Sequence, residues 1–187
     1  MAGGSTEVTK EIYSVWAVPP EEVRDRIKKI MAALRSEFGG PAFEPHITVV
    51  GAISLAPEDA LRRFRSACAT LAPYPARVTA AARGTFFYQC VFFLIDPIPE
   101  VMEASARACN HFGFQSSTPY MPHLSLLYAD ISDEDKERAR QRVEELDKEI
   151  LGLSFQVSTL ALYKTDTEDK SLESWEQVET YHLSGEK

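Results

Sequence analysis

Two stretches decide how this chain reads: "FEPHITVVGA", residues 43–52, and "PYMPHLSLLYAD", residues 119–130. Aligned on their histidines, both run aromatic, any residue, Pro, His, aliphatic, hydroxyl, aliphatic, aliphatic. The chain has only four histidines in 187 residues, and two of them, His46 and His123, occupy this one frame. Short runs of this composition, opened by a proline where no ladder donor is needed, read as strands. Side chains alternate along a strand, so His46 and Thr48 share one face while Ile47 and Val49 share the other. His123 and Ser125 likewise stand opposite Leu124 and Leu126. The aliphatic side anchors each strand in a core. The imidazole and hydroxyl stay together on the open side.

Outward from the motifs, the two halves carry the same order of elements. In the first, "EIYSVWAV" (11–18) is a strand with Ile12, Ser14, Trp16 and Val18 on one side and Tyr13, Val15 and Ala17 on the other. A helix follows, with Pro and Glu at its start, Val23, Ile27, Ile30, Met31, Leu34 and Phe38 at helical spacing, and Gly39-Gly40 as its stop. After the strand "HITVVGAI" come a helix striped by Leu61, Phe64, Cys68 and Leu71, and the strand "ARVTAAA". In the second half, "GTFFYQCVFFLI" is a strand, "PEVMEASARACNHFG" a helix and "HLSLLYA" the motif strand. Next is a helix capped by Ser132 that buries Ala139, Val143, Leu146 and Ile150. "SFQVSTLALYKT" and "SWEQVETYHL" close the chain as a strand pair. The sum is an α+β chain in two similar halves. If the halves face each other about a pseudo-two-fold axis, two imidazoles and two hydroxyls converge in one cleft.

Composition sets the bounds. An apolar share of 44% and a charged share of 26% suit one soluble globular domain, taken as residues 11–187 after a flexible tail at 1–10. The formal charge of −8 argues against a binder of long nucleic acid, which needs a basic face. No run reaches the roughly 20 apolar residues of a membrane span, and "MAGGSTEVTK" lacks the apolar stretch of a secretory signal. Cys68, Cys90 and Cys109 are odd in number and have no CxxC spacing, so a reduced cytoplasmic setting is expected. No HExxH, GxxxxGK[ST] or GxGxxG occurs, so neither metal nor cofactor is expected. "TDTEDKSLESWE" reads as a solvated hairpin connection.

Two histidines and two hydroxyls in one cleft suit in-line displacement at phosphorus. One imidazole activates the nucleophile and the other protonates the leaving oxygen, both near the free histidine pKa of about 6.5. Thr48 and Ser125 would donate to the non-bridging oxygens, where charge accumulates. A strained cyclic phosphodiester fits, with water as nucleophile, since no serine or cysteine nucleophile with an adjoining base is visible. The near symmetry of the motifs leaves open which histidine is the base, with His123 as base and His46 as acid the preferred arrangement.

These paired His-x-Thr/Ser strands resemble the signature of the two-histidine (2H) phosphoesterase superfamily. Together with "YSVWAVP", "GTFFYQCVF", "TPYMPHLSLLYA" and "YKTDTEDKSLESWE", they resemble its plant cyclic phosphodiesterase branch over residues 11–180. The resemblance implies a two-lobed fold of antiparallel sheets flanked by helices, with the active-site cleft between the lobes. It implies hydrolysis of ADP-ribose 1″,2″-cyclic phosphate to the 1″-phosphate and of nucleoside 2′,3′-cyclic phosphates to 2′-phosphates, downstream of tRNA splicing. His46 and His123 match the catalytic pair, and Thr48 and Ser125 the phosphate-binding hydroxyls. Tyr128, Trp16 and Tyr88 fall at cleft positions. Alternation alone puts Tyr128 on the wrong face, so a bend or bulge after Leu127 is needed. Trp16 and Tyr88 could stack a base or fill the core. The partner expected is a small cyclic nucleotide bound by a monomer, without long nucleic acid or membrane. An RNA-end 2′–5′ phosphodiesterase or ligase, or a nucleotide-binding module without catalysis, is the alternative.

Overall fold

The computed structural model describes residues 9–116 and 118–184. Residues 1–8 of the expected tail lie outside the described residues; Thr9 and Lys10 are exposed and irregular. In chain order the elements are β1 (Glu11–Val18), α1 (Glu21–Phe38), β2 (Ile47–Leu55), α2 (Pro57–Ala69), β3 (Tyr74–Phe86), β4 (Gln89–Ile95), α3 (Pro99–Phe112), β5 (His123–Leu127), α4 (Asp133–Leu146), β6 (Ser154–Val157), β7 (Thr159–Lys164) and β8 (Glu176–His182). The strands form one antiparallel sheet in the order β6-β3-β4-β5-β2-β1-β7-β8. The two expected halves are therefore four-stranded halves of one sheet. The motif strands β2 and β5 sit side by side at its centre, where Ile47 pairs with Leu124.

The helices interlock these halves. α1, which links β1 to β2 in one half, packs against β5 and α4 of the other; α3, which links β4 to β5, packs against β2 and α2. The reason lies in the apolar stripes. Ile27, Ile30, Met31 and Leu34 of α1 are fully buried in the core, each worth roughly 1.5–3 kcal/mol relative to exposure. Ser105 of α3, also buried, donates to the Val49 carbonyl at 2.7 Å and pins its helix to β2. Arg26 of α1 grips Asp147, just past α4, through two bonds of 2.5 and 2.8 Å. Ser132 caps α4 by accepting from the Asp135 amide at 3.1 Å. Core residues Tyr13, Val15 and Ala17 alternate along β1 with Ser14 and Trp16, which face the other side of the sheet. Among the described residues no helix is long and apolar enough to cross a membrane.

Two strand segments differ from the sequence reading, and the helix expected through Ile150 ends at Leu146, with Ile150 buried in the turn beyond it. Gly84–Ile95 is not one strand: β3 runs on to Phe86 and turns through Phe87 and Tyr88 into β4. That turn lacks the Asn-Gly or Asp-Gly pair that marks a hairpin. Its glycine lies earlier, at Gly84, where any side chain would collide with the Gln89 carbonyl. The run Ser154–Lys164 is likewise two strands, broken at Ser158. β6 completes one edge of the sheet beside β3, while β7 joins β1 in the opposite half. No proline or glycine marks that crossing.

Candidate active site

The face of the sheet away from the helices holds a cleft of about 350 Å³. His46, Thr48, His123, Ser125, Tyr128, Trp16 and Tyr88 all line it. Antiparallel pairing at Ile47–Leu124 sets His46 opposite Ser125 and Thr48 opposite His123 along the two chains. Each imidazole thus lies beside the hydroxyl of the other motif.

Both rings are tied in the same way. His46 Nδ1 is 2.8 Å from the Glu44 carbonyl oxygen, and His123 Nδ1 is 2.9 Å from that of Met121. A carbonyl only accepts, so Nδ1 carries the hydrogen in each ring. Nε2 is left to take or give a proton in the cleft. The environments then diverge. His46 is 3% exposed and lies face to face on Trp16, ring centroids 3.4 Å apart and planes within 4°. His123 is partly exposed and meets only the edge of Phe92, at 5.2 Å and 64°. Burial pushes the His46 pKa down to about 3, aided by repulsion from His123 and opposed by the bond to Glu44. Burial also lowers His123. Both rings therefore favour the neutral form near pH 7.

The hydroxyls and phenols complete the cleft. Ser125 Oγ donates to the Tyr88 carbonyl over a long 3.4 Å, a bond weak enough to exchange for a ligand oxygen. The backbone of Thr48 is fixed by the Tyr120 hydroxyl, which donates to its carbonyl at 2.8 Å. Tyr128 reaches the cleft because β5 carries one extra residue: Phe92 pairs with Ser125 but Val91 pairs with Leu127. The bulge falls at Leu126, before Leu127 rather than after it, and resets the alternation so that Leu126 and Leu127 are both buried. β2 does the same at Val49, between the pairs Trp16–Thr48 and Val15–Val50, and brings Gly51 to the matching place. The Tyr128 ring stacks on Phe43 at 4.0 Å, and Gly40 at φ +98° lets the chain pass the Tyr128 carbonyl, where a side chain would collide.

Of the two readings left open for Trp16, stacking a base or filling the core, its packing fits the second. Its indole is 3% exposed, with His46 on one face and Tyr163 stacked at 3.8 Å, so no face is open to a base. Tyr88 remains at the mouth, its hydroxyl donating to the Thr167 carbonyl at 2.8 Å. Several cleft residues escaped the sequence reading: Ser14, Phe86, Thr165, Thr167 and Trp175. Ser14 is buried against Thr165, the hydroxyls 2.7 Å apart. Its place beside Trp16 on one face of β1 was visible in the alternation. Trp175 had no such signal. The β7–β8 connection is a built wall: Asp169 accepts from the amides and hydroxyls of Ser171 and Ser174, and Trp175 donates to the Asp166 carbonyl at 2.9 Å.

A fold in which each half delivers a His-x-hydroxyl strand to one cleft is that of the two-histidine phosphoesterases, and the chain is an enzyme of that class. Residues 15–169 match the 2′-5′ RNA ligase superfamily, and the chain belongs to that family. It is 52% identical over 178 residues to the cyclic phosphodiesterase of Arabidopsis thaliana, covering 95% of this chain and 98% of that one. It is 34% identical over 98 residues to a cyclic phosphodiesterase of Triticum aestivum, covering 52% of this chain and 94% of the other. Among solved structures it shares its fold with Escherichia coli LigT complexed with phosphate, at a TM-score of 0.63 and 13% identity, covering 94% and 99% of the two chains. A Thermus thermophilus protein aligns with a TM-score of 0.62 at 18% identity, covering 94% and 100%.

Proposed function

We propose that this enzyme hydrolyses small cyclic phosphodiesters by two-histidine acid–base catalysis. The substrates would be ADP-ribose 1″,2″-cyclic phosphate, opened to the 1″-phosphate, and nucleoside 2′,3′-cyclic phosphates, opened to 2′-phosphates. One observation carries the reading: two imidazoles, each with Nδ1 tied to a backbone carbonyl, flank two hydroxyls in a single cleft. The 52% identity to a protein named cyclic phosphodiesterase supports the substrate class. None of the described residues lining the cleft is Lys or Arg, which suits the single charge of a nucleoside 2′,3′-cyclic phosphate better than a polyanionic RNA end. The volume is that of a small-ligand site. The three unpaired thiols fit the expected cytoplasmic setting.

In this reading the diester sits between the rings, with its non-bridging oxygens on Thr48 and Ser125. His123, the more exposed of the two rings, draws a proton from the attacking water. His46, walled off behind the phosphate, protonates the leaving oxygen. That role requires His46 to be charged when the substrate is bound, although burial alone keeps it neutral. A diester charge about 4 Å away is worth about 4 kcal/mol at an effective dielectric of 20. At 1.36 kcal/mol per pKa unit that is about three units. The charge therefore raises His46 from about 3 toward the ordinary imidazole range. Substrate binding therefore supplies the condition for its own protonation.

Phosphorus NMR of the enzyme with each cyclic phosphate, in chelator, tests this. The expected result is conversion to the 2′-phosphate and the 1″-phosphate. An unchanged cyclic phosphate resonance from both substrates would overturn the reading.

A further inference from the structure

The two histidines are equivalent in sequence but not in support, and the difference lies in one stack of three rings. From the cleft outward it runs His46, Trp16, Tyr163, with centroid spacings of 3.4 and 3.8 Å and planes inclined by 4° and 20°. The bond from Nδ1 to the Glu44 carbonyl fixes one corner of the imidazole but leaves its plane free to tilt about that corner. A flat surface against the whole face removes the tilt. His123 has the same corner bond and no such surface, since Phe92 meets it at 64°. Trp16 stands opposite Thr48 on the adjacent strand β1, so its backbone is part of the site's own ladder. Tyr163 comes from β7 on the other side of β1, opposite Ser14, and closes the indole's second face.

We infer that Trp16 is a positioning residue that acts through His46, and that Tyr163 braces it from behind, rather than a platform for the substrate's base. This inference rests on His46 carrying the chemistry proposed above. A fixed ring plane aims Nε2 along one line, and a misplacement of about 1 Å in such a group costs about 10²-fold in rate. The indole face also favours the imidazolium over the neutral ring. The charged and titratable groups around this stack are His123 across the cleft, which acts on His46, and Glu44 and Arg24, which act on Tyr163.

The test compares Trp16→Leu and Trp16→Phe on two substrates, a nucleoside 2′,3′-cyclic phosphate and the base-free ribose 2,3-cyclic phosphate. Loss of the stack should lower kcat about 10- to 100-fold on both, with KM little changed, and Trp16→Phe should recover part of the loss. Nitrogen–proton correlation NMR should show His46 as a single Nδ1–H tautomer in the wild type and as mixed tautomers in Trp16→Leu. Tyr163→Leu, which leaves His46 and Trp16 in place, should lower kcat less but in the same sense, and it decides the matter if Trp16→Leu does not fold. A rise in KM confined to the nucleoside substrate, with kcat and the His46 tautomer unchanged, would overturn the inference. If the wild type opens neither substrate, the proposed function falls, and the tautomer measurement still decides whether Trp16 orients His46.

Discussion

Ile47 and Leu124, the middle residues of the two His-x-hydroxyl triplets, are register partners across the centre of the sheet. That pairing turns a sequence coincidence into a site. It puts His46 beside Ser125 and His123 beside Thr48, and it buries the two aliphatics under the helices of both halves. A shift of one residue in this register would turn the histidine and hydroxyl of the shifted strand into the core.

Replacing either histidine with asparagine keeps a polar group within reach of the backbone carbonyl but removes the proton-transfer nitrogen. His46→Asn and His123→Asn should each lower kcat by about 10²–10⁴-fold, the usual worth of a positioned acid or base. Binding of a 2′,3′-cyclic nucleotide, measured by calorimetry, should persist. Parallel loss of binding and turnover would instead favour a nucleotide-binding module whose histidines merely hold phosphate.

The hydroxyls answer a different question. Thr48→Val and Ser125→Ala remove a donor to the non-bridging oxygens with little change of shape. Each should cost about 10²–10³-fold in kcat if charge builds on those oxygens in the transition state. An effect confined to KM, seen in steady-state kinetics, would mean that the hydroxyls bind ground and transition states alike.

The features legible in the sequence were local ones. The eight-residue frames, the helical stripes of α1 and α2, the buried Ala139 and Val143 of α4 and the cap at Ser132 each depend on a few neighbouring residues. The features that were not legible depend on partners far along the chain. The turn at Phe87–Tyr88 carries no turn residues, and what holds it at the cleft mouth is a bond to Thr167. The break at Ser158 exists because β6 and β7 find partners in opposite halves. Tyr128 followed neither simple alternation nor a bend past Leu127, because the bulge lies one residue earlier, at Leu126. The choice for Trp16 between stacking a base and filling the core was not legible, because nothing near it in sequence announces Tyr163, which covers its far face.

Protonation on binding should separate two pH profiles. In the free enzyme both histidines sit below the usual 6.5, with His46 at about 3. The singly protonated pair then exists below pH 6.5, and kcat/KM should fall about tenfold per pH unit above it. In the complex the diester charge holds the proton on His46, so the alkaline limb of kcat should lie at higher pH than that of kcat/KM. Steady-state rates from pH 5 to 9 give both limbs. Coincident limbs would mean that the bound phosphate does not recharge the pair.

The same burial should show in stability. His46 refuses a proton in the folded state, while the unfolded chain accepts one at about 6.5. Below that pH the unfolded state binds more protons, so stability is full above about 6.5 and is lost as pH falls towards 3. Between pH 6.5 and 5 ordinary carboxylates do not yet titrate, and the histidines dominate. Urea unfolding of His46→Gln should show a shallower loss over that window, by up to about 1.4 kcal/mol per pH unit. An equal slope in wild type and variant would show that His46 is protonated in the native state.

With both faces of Trp16 covered, the most exposed aromatic ring lining the cleft is that of Phe86. It is 52% exposed, among the few large apolar side chains that face solvent, and it lines the same cavity as the histidines. An exposed apolar group at a cleft mouth contributes little to the fold, so Phe86→Ala should leave the unfolding free energy within about 0.5 kcal/mol of wild type. A base stacked on it should be worth about 1–3 kcal/mol, which is about a 5- to 150-fold rise in KM for a nucleoside 2′,3′-cyclic phosphate. Ribose 2,3-cyclic phosphate, having no base, should be opened equally well by both proteins. A matched rise in KM for the two substrates would show that Phe86 shapes the turn beside Tyr88 rather than meeting the base.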